Sequence, residues 1–436
     1  MNRAAAGVAA AADDSPASQR PGRLYLWWLM TVLLMVNIVN FVDRQSVFIL
    51  AEDIKRDLSL SDTHIGLLGG LAFAVVYSTL GIPLARVAEM YGRTRVLSLL
   101  LVIWSALTAL GGLAQNFLQL AATRLGVAAG EAGSTPAAHS LISSYFPEAR
   151  RGFVLAVFSL GVPLGTMIGL VLAGWISQVA SWRVAMFALG LPGILLALLL
   201  VLTIREPPVQ IEKVRQQRLG QTLRALWKRP SFRQMAYGQA VYSMGANAAI
   251  VFAPAFLMRT YDLNSASTGL SLGLVYGVVG VAGTLIGGIM GDRFGKKDAR
   301  WRLWLPGLVL VAAMPLTLGA WFAADATTSV ALIAGTKFAN LFYFGPIFVA
   351  LHSISPVHAR GTASAVLLFF NSLIGVSLGP LITGAASDWL EPSFGAQSLR
   401  YALCFVVLTQ IWAAVHFFLA ARTIRADAAA AQAEAT

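Results

Sequence analysis

The chain has 436 residues, of which 57% are apolar and only 12% are charged, and its mean hydropathy is +0.70. A water-soluble globule of this composition would expose large apolar patches, so we expect an integral membrane protein. The net charge of +12 suits anionic lipid headgroups, and we expect membrane lipids rather than nucleic acid as partners. Cys404 is the single cysteine, which excludes an internal disulfide and a thiolate metal cluster.

Apolar stretches of about bilayer-spanning length follow one another along the whole chain. They are Leu24–Leu50, Ile65–Ala85, Val96–Ala114, Leu118–Ser143, Phe153–Ile176, Ala185–Ile204, Met235–Met258, Gly269–Met290, Leu303–Phe322, Val330–Ile354, Ala363–Ala386 and Tyr401–Ala421. The predicted fold class is therefore an all-α integral membrane protein with about twelve transmembrane helices.

Polar intervals divide this predicted bundle into two six-helix halves. The predicted organisation is a tail (1–22), an N-terminal half (23–204), a linker (205–233), a C-terminal half (234–421) and a second tail (422–436). Most Lys and Arg residues outside the spans fall in the tails, the linker and alternate loops, which predicts cytoplasmic termini and a multi-pass protein of the cell (inner) membrane. The linker also predicts an amphipathic helix near Leu219–Trp227.

Five residues that carry a charge at neutral pH fall within the predicted spans. They are Asp43 and Arg44 in the first span, Arg124 and Glu131 in the fourth, and Lys337 in the tenth. A charge at the centre of a bilayer costs roughly 2.5–3.5 kcal/mol on insertion scales, so such residues are functional candidates by default. The simpler interpretation is that buried ion pairs only fix the helix register.

Helix geometry predicts which of these side chains can meet. Counting about 1.5 Å per residue from the span ends places Asp43 and Arg124 at about the same depth, and Glu131 lies two turns from Arg124 on the same helix face. Arg44 points about 100° away from Asp43, toward either the cavity or the outer surface. Lys337 falls near the midplane in the opposite half.

Two signals recur once in each half. Gly295 follows Gly92 by 203 residues (295 − 92), and Arg360 follows Arg151 by 209 residues (360 − 151). Around the later copy the sequence reads Gly288-Ile289-Met290-Gly291-Asp292-Arg293-Phe294-Gly295-Lys296, which resembles the loop motif of the major facilitator superfamily. The resemblance implies two pseudo-symmetric halves around a central cavity, alternating access and a monomer.

The first copy of the loop departs from the superfamily pattern, because Glu89 replaces the usual Asp, Met90 the usual Arg and Ala85 the leading Gly. In the superfamily this loop latches the cytoplasmic gate. The gate residues that the resemblance implies are Glu89, Arg93, Arg150, Arg151, Asp292, Arg293 and Arg360. The alternative is that these charges only keep the loops in the cytoplasm.

A narrower resemblance lies at the intramembrane charges. Asn40-Phe41-Val42-Asp43-Arg44 and Gly130-Glu131-Ala132 resemble segments of the Spinster family. The resemblance implies a lysophospholipid or sphingoid-phosphate type of substrate, with Asp43, Arg124 and Glu131 in substrate binding and proton coupling. Tyr77, Asn340 and Asn371 are further candidates for the cavity wall.

The predicted function is proton-coupled secondary transport of an amphipathic anionic or zwitterionic lipid by alternating access. The alternative is a proton-coupled carrier of small organic anions, such as sugar acids or aromatic carboxylates, because the same Arg, Lys and Glu residues would serve it. We expect that the protein is not an enzyme, because the sequence lacks the residue spacing of a catalytic nucleophile or dyad and lacks a phosphate-binding loop. We also expect no cofactor and no metal.

Overall fold

The computed structural model describes residues 22–206, 219–356 and 360–433, and these residues form helices with no β-strand among them. Ten stretches are long and apolar enough to cross a membrane. One of them, 360–433, contains two spans separated near residues 395–397, and 117–145 adds another. The described residues therefore contain twelve spans, and the predicted all-α membrane fold is confirmed. Almost all of the predicted N-terminal tail, linker residues 207–218 and residues 434–436 lie outside the described residues.

The N-terminal half contains α1 to α6. Their bounds are Arg23–Ile49 (α1), Asp62–Tyr91 (α2), Arg93–Gly111 (α3), 117–145 (α4), 148–179 (α5) and Trp182–Thr203 (α6). A short helix, Ala51–Leu58, joins α1 to α2. Gly133 interrupts α4 directly after the segment that carries Arg124 and Glu131.

The C-terminal half repeats this arrangement with α7 to α12. Their bounds are Pro230–Tyr261 (α7), Ser265–Gly295 (α8), Trp301–Phe322 (α9), Ala326–Ser353 (α10), 360–394 (α11) and 398–433 (α12). The linker helix Leu219–Lys228 lies where the sequence predicts an amphipathic helix. α7 begins before the predicted boundary at 234, and α12 extends beyond the predicted boundary at 421.

Side-chain caps begin equivalent helices in the two halves. Ser61 and Asn264 accept hydrogen bonds from backbone N–H groups in the first turns of α2 and α8. Asn116 and Asp325 do the same for α4 and α10. Each cap satisfies a donor that the helix leaves unpaired. The duplicated caps support the internal repeat seen in the loops.

Three spans contain a π-helical turn near the middle of the bundle. These turns are Leu67–Leu71 in α2, Val275–Val279 in α8 and Asn371–Val376 in α11. A π-helical turn shifts the helix register locally and frequently lies at a functional site. The turn in α8 contains Tyr276, and the turn in α11 begins with Asn371.

The two halves pack closely on one side of the bundle. We call the side at which α1 begins and α12 ends the terminal face, and the opposite side the distal face. Near the distal face, Ser265 Oγ of α8 donates to the Gly174 carbonyl of α5 at 3.0 Å. A Cβ atom at Gly66 of α2 would collide with the Pro380 backbone of α11. Glycine therefore permits the close approach of the halves at this face.

The terminal face has no matching contacts. Among the described residues, no hydrogen bond or ion pair joins the two halves there. The hydrogen bonds present at that face stay within one half, such as Tyr145 Oη to the Arg205 carbonyl at 2.5 Å. The hydrogen bonds and ion pairs that join the two halves among the described residues therefore lie toward the distal face.

Candidate functional site

An ion pair between α1 and α4 lies at the centre of the N-terminal half. Arg44 donates from Nη2 to Glu131 Oε2 at 2.7 Å and from Nε to the same oxygen at 3.2 Å. The Glu131 side chain has no exposed surface, whereas Arg44 keeps 22% of its side chain exposed. Of the two orientations predicted for Arg44, the structure has the inward one, because the Glu131 carboxylate offers a partner inside the bundle.

Aromatic rings surround the guanidinium of Arg44. Its Cζ lies 4.6 Å from the ring centroid of Phe73, 4.8 Å from that of Tyr77 and 5.1 Å from that of Phe41. A cation in this position is attracted by the negative faces of the rings. Tyr77, a predicted cavity residue, thus helps to hold Arg44 beside Glu131.

Asp43 and Arg124 lie deeper in the same half. Asp43 is fully buried, and neither of its carboxylate oxygens makes a hydrogen bond of ordinary geometry with a described residue, although the Thr108 hydroxyl and the Trp104 indole N–H are close enough to interact with it. Arg124 is 2% exposed, and its Nε and Nη1 atoms also lack partners. The two groups are close enough for their charges to interact, as the helix depths predict. This leaves two ionisable side chains inside the bundle without the hydrogen bonds that buried charges usually make.

Among the residues that line one pocket of the described C-terminal half, Lys337 is the charged one. Its Nζ atom lies 4.5 Å from the ring centroid of Tyr276, and no described carboxylate forms an ion pair with it. The pocket lies between α7, α8, α9, α10 and α12. The prediction that Lys337 lies in the half opposite to Asp43, Arg124 and Glu131 agrees with its position in α10.

Hydrogen bonds between uncharged groups connect several polar side chains of the C-terminal half. Gln239 Nε2 donates to Tyr343 Oη at 2.8 Å and to Asn371 Oδ1 at 2.7 Å. Tyr242 Oη donates to the carbonyl of Asn340 at 2.7 Å. The predicted wall residue Asn340 lines the Lys337 pocket, whereas Asn371 belongs to the bonded group beside it.

A network of charges at the distal face joins the two halves, and the sequence analysis did not predict it. Arg259, in the last turn of α7, donates from Nε to Glu52 Oε1 at 2.9 Å and from Nη1 to Asp62 Oδ2 at 2.8 Å. Lys55 Nζ adds a contact to Asp62 Oδ1 at 2.6 Å. The network could have been predicted from Arg259, at a distal helix end of one half, and from the several acidic residues in the first distal loop of the other half.

A second element of the distal network is a helix cap that crosses between the halves. Asp388 of α11 accepts hydrogen bonds from the backbone N–H groups of Asp62 and Thr63 at 2.9 and 2.8 Å. Ser387 Oγ donates to Asp62 Oδ2 at 2.7 Å. A carboxylate at a helix N-terminus is favourable, so the beginning of α2 is held by the opposite half. We call Glu52, Asp62, Arg259 and Asp388 the distal network.

The predicted gate residues at the terminal face do not meet across the halves in this conformation. Glu89, Arg150, Asp292, Arg293 and Arg360 are exposed. The other two bond within the N-terminal half, where Arg93 Nη1 donates to Ser144 Oγ and Arg151 Nε donates to the Phe146 carbonyl. The loop carboxylate Glu89 makes no hydrogen bond to described residues.

Glu206, which the sequence analysis did not single out, caps the beginning of α3. Its carboxylate accepts hydrogen bonds from the backbone N–H groups of Arg93 and Thr94, both at 2.8 Å. Asp427 at the end of α12 accepts in the same way from the Ser231 N–H of α7 at 2.9 Å. Each of these carboxylates fixes the beginning of a helix within its own half, and neither connects the two halves.

The chain matches the sequence profile described as Major Facilitator Superfamily over residues 33–380 and 235–430. It is 37% identical to an MFS-type efflux pump of Mycolicibacterium smegmatis (strain ATCC 700084 / mc(2)155), over 96% of this chain and 97% of that protein. The chain belongs to the major facilitator superfamily. It is therefore a membrane-embedded, multi-pass transporter rather than an enzyme.

The resemblance to the Spinster family is also confirmed. A crystal structure of a bacterial homolog to the human lysosomal transporter Spinster, in an inward-facing and unoccupied conformation, superposes with a TM-score of 0.87 and 28% identity, covering 93% of this chain and 99% of that one. Protein spinster homolog 1 of Xenopus tropicalis is 25% identical over 92% of this chain and 81% of its own length. A probable L-galactonate transporter of Escherichia coli (strain K12) is 27% identical over 82% of each chain.

Proposed function

We propose that this transporter couples protons to the movement of an amphipathic anionic or zwitterionic lipid, of lysophospholipid or sphingoid-phosphate type, by alternating access. The observations that carry the proposal are the Arg44–Glu131 pair inside the N-terminal half and Lys337, which lines a pocket of the C-terminal half and forms no ion pair with a described carboxylate. Similarity to Spinster proteins in sequence and fold supports the lipid class.

Protonation can open the Arg44–Glu131 pair. A neutral Glu131 carboxyl no longer balances the guanidinium charge, so Arg44 becomes available to an anionic headgroup. Asp43 is a second proton acceptor, because an anionic carboxylate without hydrogen-bond partners is costly at this depth. Proton binding and substrate binding would then alter the same charges, which is what coupling requires.

The proposed orientation has both termini in the cytoplasm and the protein in the cell (inner) membrane as a monomer. The basic residues of the linker helix and of the loops at the terminal face support it. The cavity then opens to the cytoplasm, and the distal network closes the outer side. The proposed cytoplasmic gate, which would close only in the opposite conformation, consists of the exposed residues Glu89, Arg150, Asp292, Arg293 and Arg360 and the half-buried residues Arg93 and Arg151.

The second candidate function is proton-coupled transport of a small organic anion. The Lys337 pocket supports it, because the pocket lies within one half and combines a cation with hydroxyl and amide groups. The similarity to a probable L-galactonate transporter points the same way.

Transport into proteoliposomes tests the proposal and separates the two candidates. A labelled lysophospholipid and L-galactonate are compared with and without a pH gradient, for the wild type, Glu131→Gln and the control Glu391→Gln, whose carboxylate is exposed at the distal end of α11. We expect gradient-dependent lysophospholipid transport that Glu131→Gln abolishes and Glu391→Gln retains. If lysophospholipid transport is the same with and without the gradient and is unchanged in Glu131→Gln, proton coupling is refuted. If galactonate alone is transported, the substrate is the small organic anion and not the lipid.

A further inference from the structure

The Lys337 pocket contains several hydrogen-bond donors without acceptors. Lys337, Tyr276, Asn340 and Trp321 line it, and no acceptor of the described residues bonds to Lys337 Nζ, Tyr276 Oη or Asn340 Nδ2. The indole Nε1 of Trp321, a residue that is 2% exposed, is buried and lacks a partner among the described residues. A buried donor is normally paired, so the indole N–H, together with a cation that forms no ion pair among the described residues, indicates a missing acceptor.

The remaining polar groups of the pocket are already occupied. Thr317 Oγ1 donates to the Ala313 carbonyl at 2.9 Å and contacts Gln410. Tyr242 Oη donates to the Asn340 carbonyl, and the Asn340 Oδ1 atom accepts from Gln410 Nε2 at 3.4 Å. The Thr317 hydroxyl and both oxygens of Asn340 are therefore occupied, whereas Lys337 Nζ, Tyr276 Oη, Asn340 Nδ2 and Trp321 Nε1 have no acceptor among the described residues.

The backbone fixes these donors independently of the N-terminal half. Ile333, Lys337 and Asn340 lie at i, i+4 and i+7 of α10 and so share one helix face. Tyr276 lies in the π-helical turn of α8, and this turn ends directly before Gly280. A Cβ atom added at Gly280 would contact Leu341 and Lys337 of α10, so α8 and α10 pack closely at this point. Every residue that lines the pocket belongs to α7–α12.

We propose that this pocket is a self-contained oxyanion subsite, which binds a carboxylate or phosphate through Lys337, Tyr276, Asn340 and Trp321 and needs no residue of the N-terminal half. The inference rests on the proposed function only in that an anionic substrate enters the cavity. It places the oxyanion in the C-terminal half and proton binding at Asp43 and Glu131, with Arg44 as an additional cation only after Glu131 is protonated. The flanking side chains of Ile250, Ile333 and Val406 are apolar, so the group next to the oxyanion is apolar or aromatic.

Equilibrium binding to the purified full-length protein in lipid nanodiscs tests the subsite without transport. Two matched pairs of probes separate the sources of the oxyanion, lysophosphatidic acid against monoacylglycerol and L-galactonate against L-galactose. The variants are Lys337→Met, which removes the charge at similar length, Lys337→Arg, which keeps it, and Tyr276→Phe. Lys228→Met on the exposed face of the linker helix is the matched control.

We expect the wild type to bind the anionic member of at least one pair and to bind its neutral partner at least tenfold more weakly. Lys337→Met should weaken anion binding about tenfold or more, Tyr276→Phe by severalfold, and Lys337→Arg much less than Lys337→Met. Lys228→Met should bind as the wild type does, whereas Glu131→Gln, which frees Arg44, should retain or strengthen anion binding. Binding of lysophosphatidic acid identifies a phosphate head, and binding of galactonate identifies a carboxylate.

Unchanged anion binding by Lys337→Met, or equal affinity for charged and neutral probes, would overturn the subsite. Loss of anion binding in Glu131→Gln would show that the site is shared between the halves and would also overturn it. The proposed function fails separately, in the proteoliposome assay, if transport ignores the pH gradient. Thermal unfolding of each variant distinguishes lost binding from lost folding.

Discussion

The two halves share one helix plan but carry different chemistry at the middle of the bundle. The N-terminal half holds two cations and two carboxylates, Arg44, Arg124, Asp43 and Glu131, of which only Arg44 and Glu131 are joined by hydrogen bonds. At the same level the C-terminal half holds neutral hydrogen-bonded side chains and the single cation Lys337. The charged side chains at the middle of the N-terminal half thus balance, whereas Lys337 leaves the C-terminal half with an unbalanced positive charge. This difference fits the proposal that the N-terminal half binds protons and the C-terminal half binds an anion.

The largest expected effect comes from breaking the pair that distinguishes the N-terminal half. Arg44→Met leaves the Glu131 carboxylate buried without its partner, which should cost about 3–5 kcal/mol of stability in addition to transport. The double variant Arg44→Met/Glu131→Gln should recover most of the stability and none of the gradient-dependent transport. A double-mutant cycle of unfolding free energies in detergent measures the coupling.

Equal stability losses that simply add in the double variant would contradict this account, because the pair would then contribute no coupling energy. Lys337→Met is the matched comparison from the other half. It removes a cation that has no ion-pair partner among the described residues, so its stability should stay near that of the wild type or rise.

Asp43→Asn should separate substrate exchange from proton coupling. Asparagine has nearly the shape of a protonated aspartic acid, so we expect stability within about 1 kcal/mol of the wild type. Substrate counterflow at equal pH should persist, whereas accumulation driven by a pH gradient should fall at least tenfold.

Asp325→Asn is the matched control for Asp43→Asn, because Asp325 is an exposed cap at the beginning of α10 and asparagine caps about as well. Gradient-driven accumulation retained in full by Asp43→Asn would exclude Asp43 from coupling and leave Glu131 as the proton acceptor.

The distal network should control which face of the cavity is open. Arg259→Gln removes the guanidinium contacts to Glu52 and Asp62, which join the halves only at the distal face. We expect the population open at the terminal face to fall severalfold, because that conformation alone contains these contacts. Distances between spin labels across the distal face, in a Cys404→Ser background, report the shift.

Arg183→Gln is the control at the same face, since Arg183 pairs with Asp57 inside the N-terminal half and does not bridge the halves. An unchanged distribution of label distances in Arg259→Gln would mean that close helix packing, such as Gly66 against Pro380, suffices to hold the distal face closed.

The sequence predicted most of the fold but only part of the site. Span lengths, the duplicated loops and the isolated charges sufficed for twelve helices and for Asp43, Arg124, Glu131 and Lys337 as candidates. The partner of Arg44 did not follow from α1 alone, because a neighbour of Asp43 can turn to either side until α4 supplies a carboxylate. The distal network was missed because its members are far apart in sequence, with Asp62 and Asp388 meeting only after the halves pack.

The smallest expected effects concern a feature that the halves share. Glu206 caps α3 in the N-terminal half, and Asp427 holds the beginning of α7 in the C-terminal half. Neither carboxylate spans the gap between the halves, so Glu206→Ala and Asp427→Ala should each lower the free energy of unfolding by about 1 kcal/mol. Both should leave the pH dependence and the apparent affinity of transport unchanged, measured in proteoliposomes at matched protein content. A shift in the pH dependence of transport in either variant would show that the helix ends are energetically coupled to the proton-binding site. The contrast between the halves would then extend beyond the middle of the bundle.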